Sequence, residues 1–195
     1  MIEMLTNKLK ETKKQDLLLL ALIVFVGVVL RSVAISVLNY APESDELAYK
    51  SMALNLVAGN EVVDGIGNRA MYNIGYPLFI LAPVFFFFGE NIFVARLFNM
   101  LLGGVAIVLC SLVAKEAGAG RIGRLMAATI WAIYLPASVY GVYLAKENLM
   151  IPLMLGVVWC ALRLIKKPSK SLTIGCGILF GLLALTGNSA LSLVA

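Results

Sequence analysis

Three stretches of the chain, residues 97–114, 125–145 and 171–195, hold 18, 21 and 25 consecutive positions without an Asp, Glu, Lys or Arg. A helix needs about 20 apolar residues to cross roughly 30 Å of hydrocarbon. A chain of 195 residues has no water-soluble core large enough to hide three such blocks, and its composition agrees: 61% is apolar and 14% charged, against about 45–50% and about 25% in soluble domains. The sequence is that of an integral membrane protein. This excludes a secreted disulfide scaffold, a disordered chain and a water-soluble enzyme. Cys110, Cys160 and Cys176 all lie in apolar stretches, where a thiol behaves as a small hydrophobe. There is no histidine, so acid–base chemistry falls to carboxylates, Tyr, Lys or Arg.

Two more apolar blocks, 17–38 and 148–165, complete the set of spans. The first follows Lys8, Lys10, Lys13 and Lys14 but exceeds the 7–15 residues of a signal-peptide core. Residues 75–88 are different: they contain Pro77 and Pro83 and end in Phe85–Phe88 before Gly89, which is short for a crossing and suits a re-entrant or interfacial helix. With that segment in the interface and the N-terminus inside, eleven Lys and Arg fall on the inner side and five on the outer. If it crossed, the bias would invert. The positive-inside rule therefore selects the first arrangement. The expected plan is a single membrane domain over 1–195. Residues 1–16 form a basic cytoplasmic N-terminus, 17–38 the first span and 39–90 an outer loop with two juxtamembrane helices. Further spans follow at about 91–115, 124–145, 147–165 and 171–195, five in all. The chain is thus all-α, polytopic and placed in the plasma membrane. Its net charge of +5 belongs to inner loops facing anionic lipid headgroups, so membrane lipids are partners and nucleic acid is not.

Seven of the eleven acids collect on the outer side. Ser44 as cap, Asp45 and Glu46 in the first turn and Gly59 as stop predict a helix over 45–58. Asp45, Tyr49, Met52 and Leu56 share one face, and Glu46 has Lys50 one turn on as an ion-pair partner. Asp45 has no such partner. It is either a first-turn acid complementing the helix dipole or a general base at the membrane boundary. Arg31 lies late in the first span, where it snorkels to headgroups or turns inward to an anion. Arg69, Tyr72 and Tyr76 precede the interfacial segment and are donors of the kind a phosphate takes, although tyrosines also anchor interfaces. Glu147, after Lys146, opens the fourth span, again as a helix-start acid or a site residue. The Gly103–Gly104 pair and the series Gly175, Gly177 and Gly181 are expected to allow close helix packing. No nucleotide-binding glycine loop, nucleophile elbow or zinc-protease motif occurs. No metal-ligand spacing occurs either, so no metal site is assigned and the cofactor stays open, a divalent cation included.

The order of short motifs is more telling than any one of them. A late Arg in the first span is followed by Ser-Asp-Glu-Leu-Ala-Tyr at 44–49, Gly-Tyr-Pro-Leu-Phe at 75–79 and Ala-Arg-Leu-Phe-Asn at 95–99. Tyr-Leu-Pro at 134–136 and Lys-Glu-Asn at 146–148 complete the series. This order resembles the amino-terminal half of GT-C membrane glycosyltransferases, in the branch of protein O-mannosyltransferases and aminoarabinose transferases. The resemblance implies that Asp45 is the base that deprotonates an acceptor. It implies that Glu147 is a second catalytic acid and that Glu46, Tyr49 and Tyr72 line the substrate site. A lipid-linked sugar donor on polyprenyl phosphate is the implied partner, with Arg31, Arg69 and Arg96 as candidates for holding its phosphate. Some positions depart from the pattern: Ala48 replaces an Arg, Gly75-Tyr76-Pro77 replaces a Lys before a double proline, and Thr186-Gly187-Asn188 replaces Thr-Arg-Pro. The expected function is transfer of a sugar from that donor to an acceptor on the extracytoplasmic side, as a cell-envelope enzyme or its amino-terminal module. A non-catalytic GT-C-like subunit assembled with further membrane subunits is the alternative, and a small multi-span transporter ranks below both.

Overall fold

The computed structural model describes residues 2–38, 40–69 and 71–188, and all regular structure in them is helical. Helix α1 (Ile2–Val37) runs unbroken from the basic N-terminal stretch through the first apolar block. Helix α2 (Asp45–Ala58) follows, then a π-helical turn (Pro77–Leu81) that leads directly into α3 (Ala82–Phe88). After α4 (Ile92–Glu116) come α5 (Arg121–Ile133), the short α6 (Leu135–Tyr140), α7 (Glu147–Lys166) and α8 (Lys170–Thr186).

Three helices, Lys14–Val37, Ile92–Glu116 and Glu147–Lys166, are long and apolar enough to cross a membrane, and Pro77–Phe88 and Lys170–Thr186 are shorter apolar helices. Side chains such as Leu22, Phe25, Leu101 and Ile178 face outward, as expected where hydrocarbon is the solvent. The protein is an all-α integral membrane protein. Helix α4 is the centre of the bundle, with α1 and α5 against one side and α7 against the other, and α8 packs on α7. Helix α2 lies on the π-helical turn and α3. Phe86, Phe87 and Phe88 remain exposed.

Several local expectations change. The stretch 124–145 does not form one helix: α5 ends at Ile133, Tyr134 is extended, and α6 restarts at Leu135 with Pro136 in its first turn. Proline has no N–H to give and its ring clashes with the carbonyl four residues back, here Ala132. The freed carbonyls find a cation. Arg31 Nη1 donates to Ala132 O (3.2 Å) and Gly27 O (2.9 Å), and Nη2 donates to Trp131 O (3.4 Å). A buried guanidinium thus caps the negative end of α5. Gly103 leaves the space for it, since a Cβ there would come within 2.6 Å of Arg31 Nε.

Glycines of the last helix behave otherwise: no atom lies within 4 Å of where a Cβ of Gly175, Gly177 or Gly181 would stand, so they do not mediate close packing among the described residues. Ser44 makes no side-chain cap bond. Gly59 ends α2 in the left-handed conformation, φ 68°. Residues 189–195 of the expected last span lie outside the described residues.

At the α1 N-terminal end of the bundle, Asp16 pairs with Arg121 and Arg124, and Glu116 pairs with Arg163 (3.7 Å) and Lys166 (3.4 Å). These clusters tie α1 to α5 and α4 to α7. The opposite end carries the acidic loop.

Candidate functional site

Helix α2 begins and α7 begins at the same end of the bundle, and their first residues face one cleft of about 650 Å³. Asp45, Glu46 and Tyr49 line it from α2, and Lys146 and Glu147 from α7 and its approach. Tyr40, Tyr140 and Tyr143 complete an aromatic wall. Asp45 is exposed to the cleft and accepts a hydrogen bond from the Tyr72 hydroxyl (3.0 Å). That bond, with partial burial, pushes the Tyr72 phenol above its ordinary pKa.

Tyr49 is buried, edge-on to Tyr72 (5.4 Å) and to Tyr76 (5.8 Å). Burial raises its pKa, and the negative charges of Glu147 and then Asp45 raise it further. The phenol lines the same cleft as both carboxylates. It stays protonated and can donate a hydrogen bond.

The loop that delivers Lys146 and Glu147 has little helical structure, so its backbone groups need other partners. They come from three buried polar side chains. Arg96 Nε donates to Val142 O (2.8 Å), and Asn99 Nδ2 donates to Tyr143 O (2.9 Å) and Gly141 O (3.4 Å). Glu46 Oε1 accepts from Leu144 N–H (2.7 Å). Arg96 also holds Tyr40 O (2.8 Å) and lies over the Tyr40 ring, 5.0 Å from its centroid. The other Glu46 oxygen accepts from Tyr40 Oη (2.9 Å) and Glu43 N–H (3.2 Å), so this carboxylate links α2 to the loop before α7. Burial first, and then the hydrogen bond to Glu46, pushes the Tyr40 phenol up as well. Asn148 closes the turn, donating to Tyr140, Tyr143 and Ala145 carbonyls (3.1, 3.0 and 3.2 Å).

The expected site residues are thus divided. Asp45, Glu46, Tyr49 and Glu147 line the cleft, and Tyr72 joins it through Asp45. Arg31, Arg69 and Arg96 do not line it. Arg31 and Arg96 are buried on backbone carbonyls, and Arg69 is exposed and paired with Glu61 (2.7 Å). Glu46 is buried and makes its bonds to the loop, while Lys50 pairs with Glu90 instead. Lys146 is the cation on the cleft lining.

Sequence reasoning passed over Tyr40, Asn99 and Asn148 as functional residues. Arg96 and Asn99 stand three residues apart, hence on one helix face, and that spacing of two polar groups inside an apolar span was the available signal. Among the described residues no group of three or more Cys, Asp or Glu comes together as a metal site.

A family model described as dolichyl-phosphate-mannose-protein mannosyltransferase matches residues 76–195. The match begins after Asp45, Tyr49, Arg69 and Tyr72, and it includes Arg96 and Glu147. No curated protein and no solved structure gives a significant match to the chain. With more than half of the chain matched and an all-α membrane architecture to accompany it, the chain belongs to the dolichyl-phosphate-mannose-protein mannosyltransferase family, a group of GT-C membrane glycosyltransferases.

Proposed function

We propose that this chain transfers a sugar from a polyprenyl phosphate to an acceptor on the extracytoplasmic side, with the N-terminus of α1 in the cytoplasm. The single observation that carries the reading is the cleft in which Asp45, Tyr49 and Glu147 meet at the ends of apolar helices. A lipid-linked donor would reach that position by diffusing within the bilayer, its sugar and phosphate at the interface.

In this reaction the acceptor hydroxyl gives its proton to the Asp45 carboxylate as its oxygen attacks the anomeric carbon. The bond from that carbon to the phosphate oxygen breaks, and the electron pair leaves with the polyprenyl phosphate. A general base at this point contributes about 10²–10⁴ in rate. Glu147 orients the acceptor or the sugar hydroxyls across the cleft from Asp45. Tyr72 donates to Asp45 and holds that carboxylate in place, and the protonated Tyr49 phenol beside it is a donor available to a bound sugar or acceptor. Lys146 offsets the charge that builds on the departing phosphate. Arg96, Asn99 and Glu46 act through the loop they hold, setting the spacing between the two ends of the site. Arg31 acts one step further back, by fixing the break between α5 and α6.

Incubation of the purified chain with labelled polyprenyl-phosphate mannose, with other polyprenyl-phosphate sugars and with nucleotide sugars tests the donor class. Release of sugar from a polyprenyl phosphate alone is expected. Transfer from a nucleotide sugar, or none from any lipid donor, would contradict the proposal.

A further inference from the structure

A second cleft, of about 810 Å³, opens between α7 and α8 at the end of α7 remote from Glu147. The 20 residues of α7 put roughly 30 Å between its ends, at about 1.5 Å per residue. This cleft therefore faces the other membrane surface from the proposed transfer site.

Its floor is apolar and its mouth is basic. Arg163 and Lys167 stand at the mouth, and Ser169 and Ser171 beside them begin α8. The Arg163 guanidinium lies over the Trp159 ring, 5.4 Å from its centroid, which restricts where the charge can go. Around it Arg163, Lys166, Lys167 and Lys170 face a single acid, Glu116, which pairs with the first two. Lys167 and Lys170 form no ion pair among the described residues. Ser169 is the N-cap residue of α8 but makes no side-chain cap bond, and its hydroxyl meets only that of Ser171 (3.1 Å). The positive end of a 17-residue helix is thereby added to the cations. Below the mouth, Gly175 leaves an open trough: a Cβ there would touch nothing within 4 Å. Ile178 is exposed beside it.

We infer that this cleft binds an anionic glycerophospholipid, its phosphodiester on Arg163 and Lys167 and an acyl chain in the trough along Gly175 and Ile178. The charge excess selects an anion, and the apolar floor selects one that carries a hydrocarbon chain. A free phosphate would leave that floor exposed. Each cation near a membrane surface adds about fivefold to the attraction of an anionic lipid, and Glu116 already answers the charge of Arg163, so the preference over a zwitterionic headgroup is roughly fivefold or more.

The chain has two tryptophans, so Trp131→Phe leaves Trp159 as the one indole reporter in the cleft. The full chain carrying this change is placed in phosphatidylcholine vesicles, and fluorescence is quenched by either dibrominated phosphatidylglycerol or dibrominated phosphatidylcholine. Half-quenching is expected at a roughly fivefold lower mole fraction of the phosphatidylglycerol. Arg163→Gln with Lys167→Gln should bring the two lipids together, whereas Lys115→Gln, on a different basic cluster, should leave the difference in place. Equal quenching by both lipids, or a preference lost equally in Lys115→Gln, would overturn the site. So would a Trp159 that neither lipid quenches, as when another helix covers the trough. Should Trp131→Phe not fold, native mass spectrometry of the unaltered chain, counting phosphatidylglycerol retained against phosphatidylcholine, makes the same comparison. Equal retention of the two lipids overturns the site there.

Discussion

Glu46 carries more of the site's geometry than its place in an acidic motif implies. Its carboxylate accepts the buried Leu144 N–H and the Tyr40 hydroxyl, and through them it sets the loop before Glu147 against the residue next to Asp45. Removing an acceptor strands a buried donor, which costs about 1–3 kcal/mol. Glu46→Ala is therefore expected to destabilise the chain by that amount in a thermal melt, and Glu46→Gln, which keeps one oxygen, by less. Equal melting of the wild type and both variants would remove Glu46 from this role. The sequence offers Glu46 a local ion-pair partner, and the resemblance a place at the substrate, but neither gives the bonds it makes. The local rule paired it with Lys50, one turn away, and no helix rule reaches Leu144. Asp45 has no ion-pair partner one turn on in the sequence, and the bond it accepts from Tyr72 spans the whole loop between α2 and the π-helical turn.

Among elements, α2 was the most readable: its bounds match the expected 45–58 and Gly59 ends it, although Ser44 makes no cap bond at its start. The break between α5 and α6 was less so. Uncharged residues continue across it, and hydropathy takes no account of the proline that removes an N–H or of the arginine on another helix that answers the freed carbonyls. The same limit applies to Gly75, whose neighbours no local rule reveals. A Cβ at Gly75 would lie 2.5 Å from Thr186 Oγ1 and 2.8 Å from the Leu185 carbonyl carbon and oxygen, so the turn before Pro77 meets the backbone at the end of α8. Backbone cannot retreat as a side-chain tip can. Gly75→Ala should cost about 1–3 kcal/mol by overpacking, while Gly175→Ala, with open space around it, should be neutral or gain up to about 1 kcal/mol from helix propensity. Thermal unfolding in one detergent checks both, and a reversed order would contradict the packing described for α8.

At the scale of the molecule, charge and apolar blocks were enough to predict a polytopic helical protein with an acidic loop at one end and basic clusters at the other. The meeting of Asp45 with Glu147 was implied by the resemblance and not by local chemistry, since about 100 residues separate them and no periodicity links them. The proposed orientation predicts that, in a chain freed of Cys110, Cys160 and Cys176, Glu61→Cys reacts with an impermeant maleimide in intact cells. Lys167→Cys should react only after permeabilisation, and the opposite labelling would invert the protein. Whether Asp45 takes the acceptor proton is decided by comparing wild type and Asp45→Asn in one preparation. Single-turnover sugar transfer from a polyprenyl-phosphate donor is measured beside photo-crosslinking of a diazirine analogue of that donor. The amide can still accept from Tyr72, so crosslinking should be unchanged and the transfer rate lower by about 10²-fold or more. Transfer that continues at the wild-type rate in Asp45→Asn would contradict that role for Asp45.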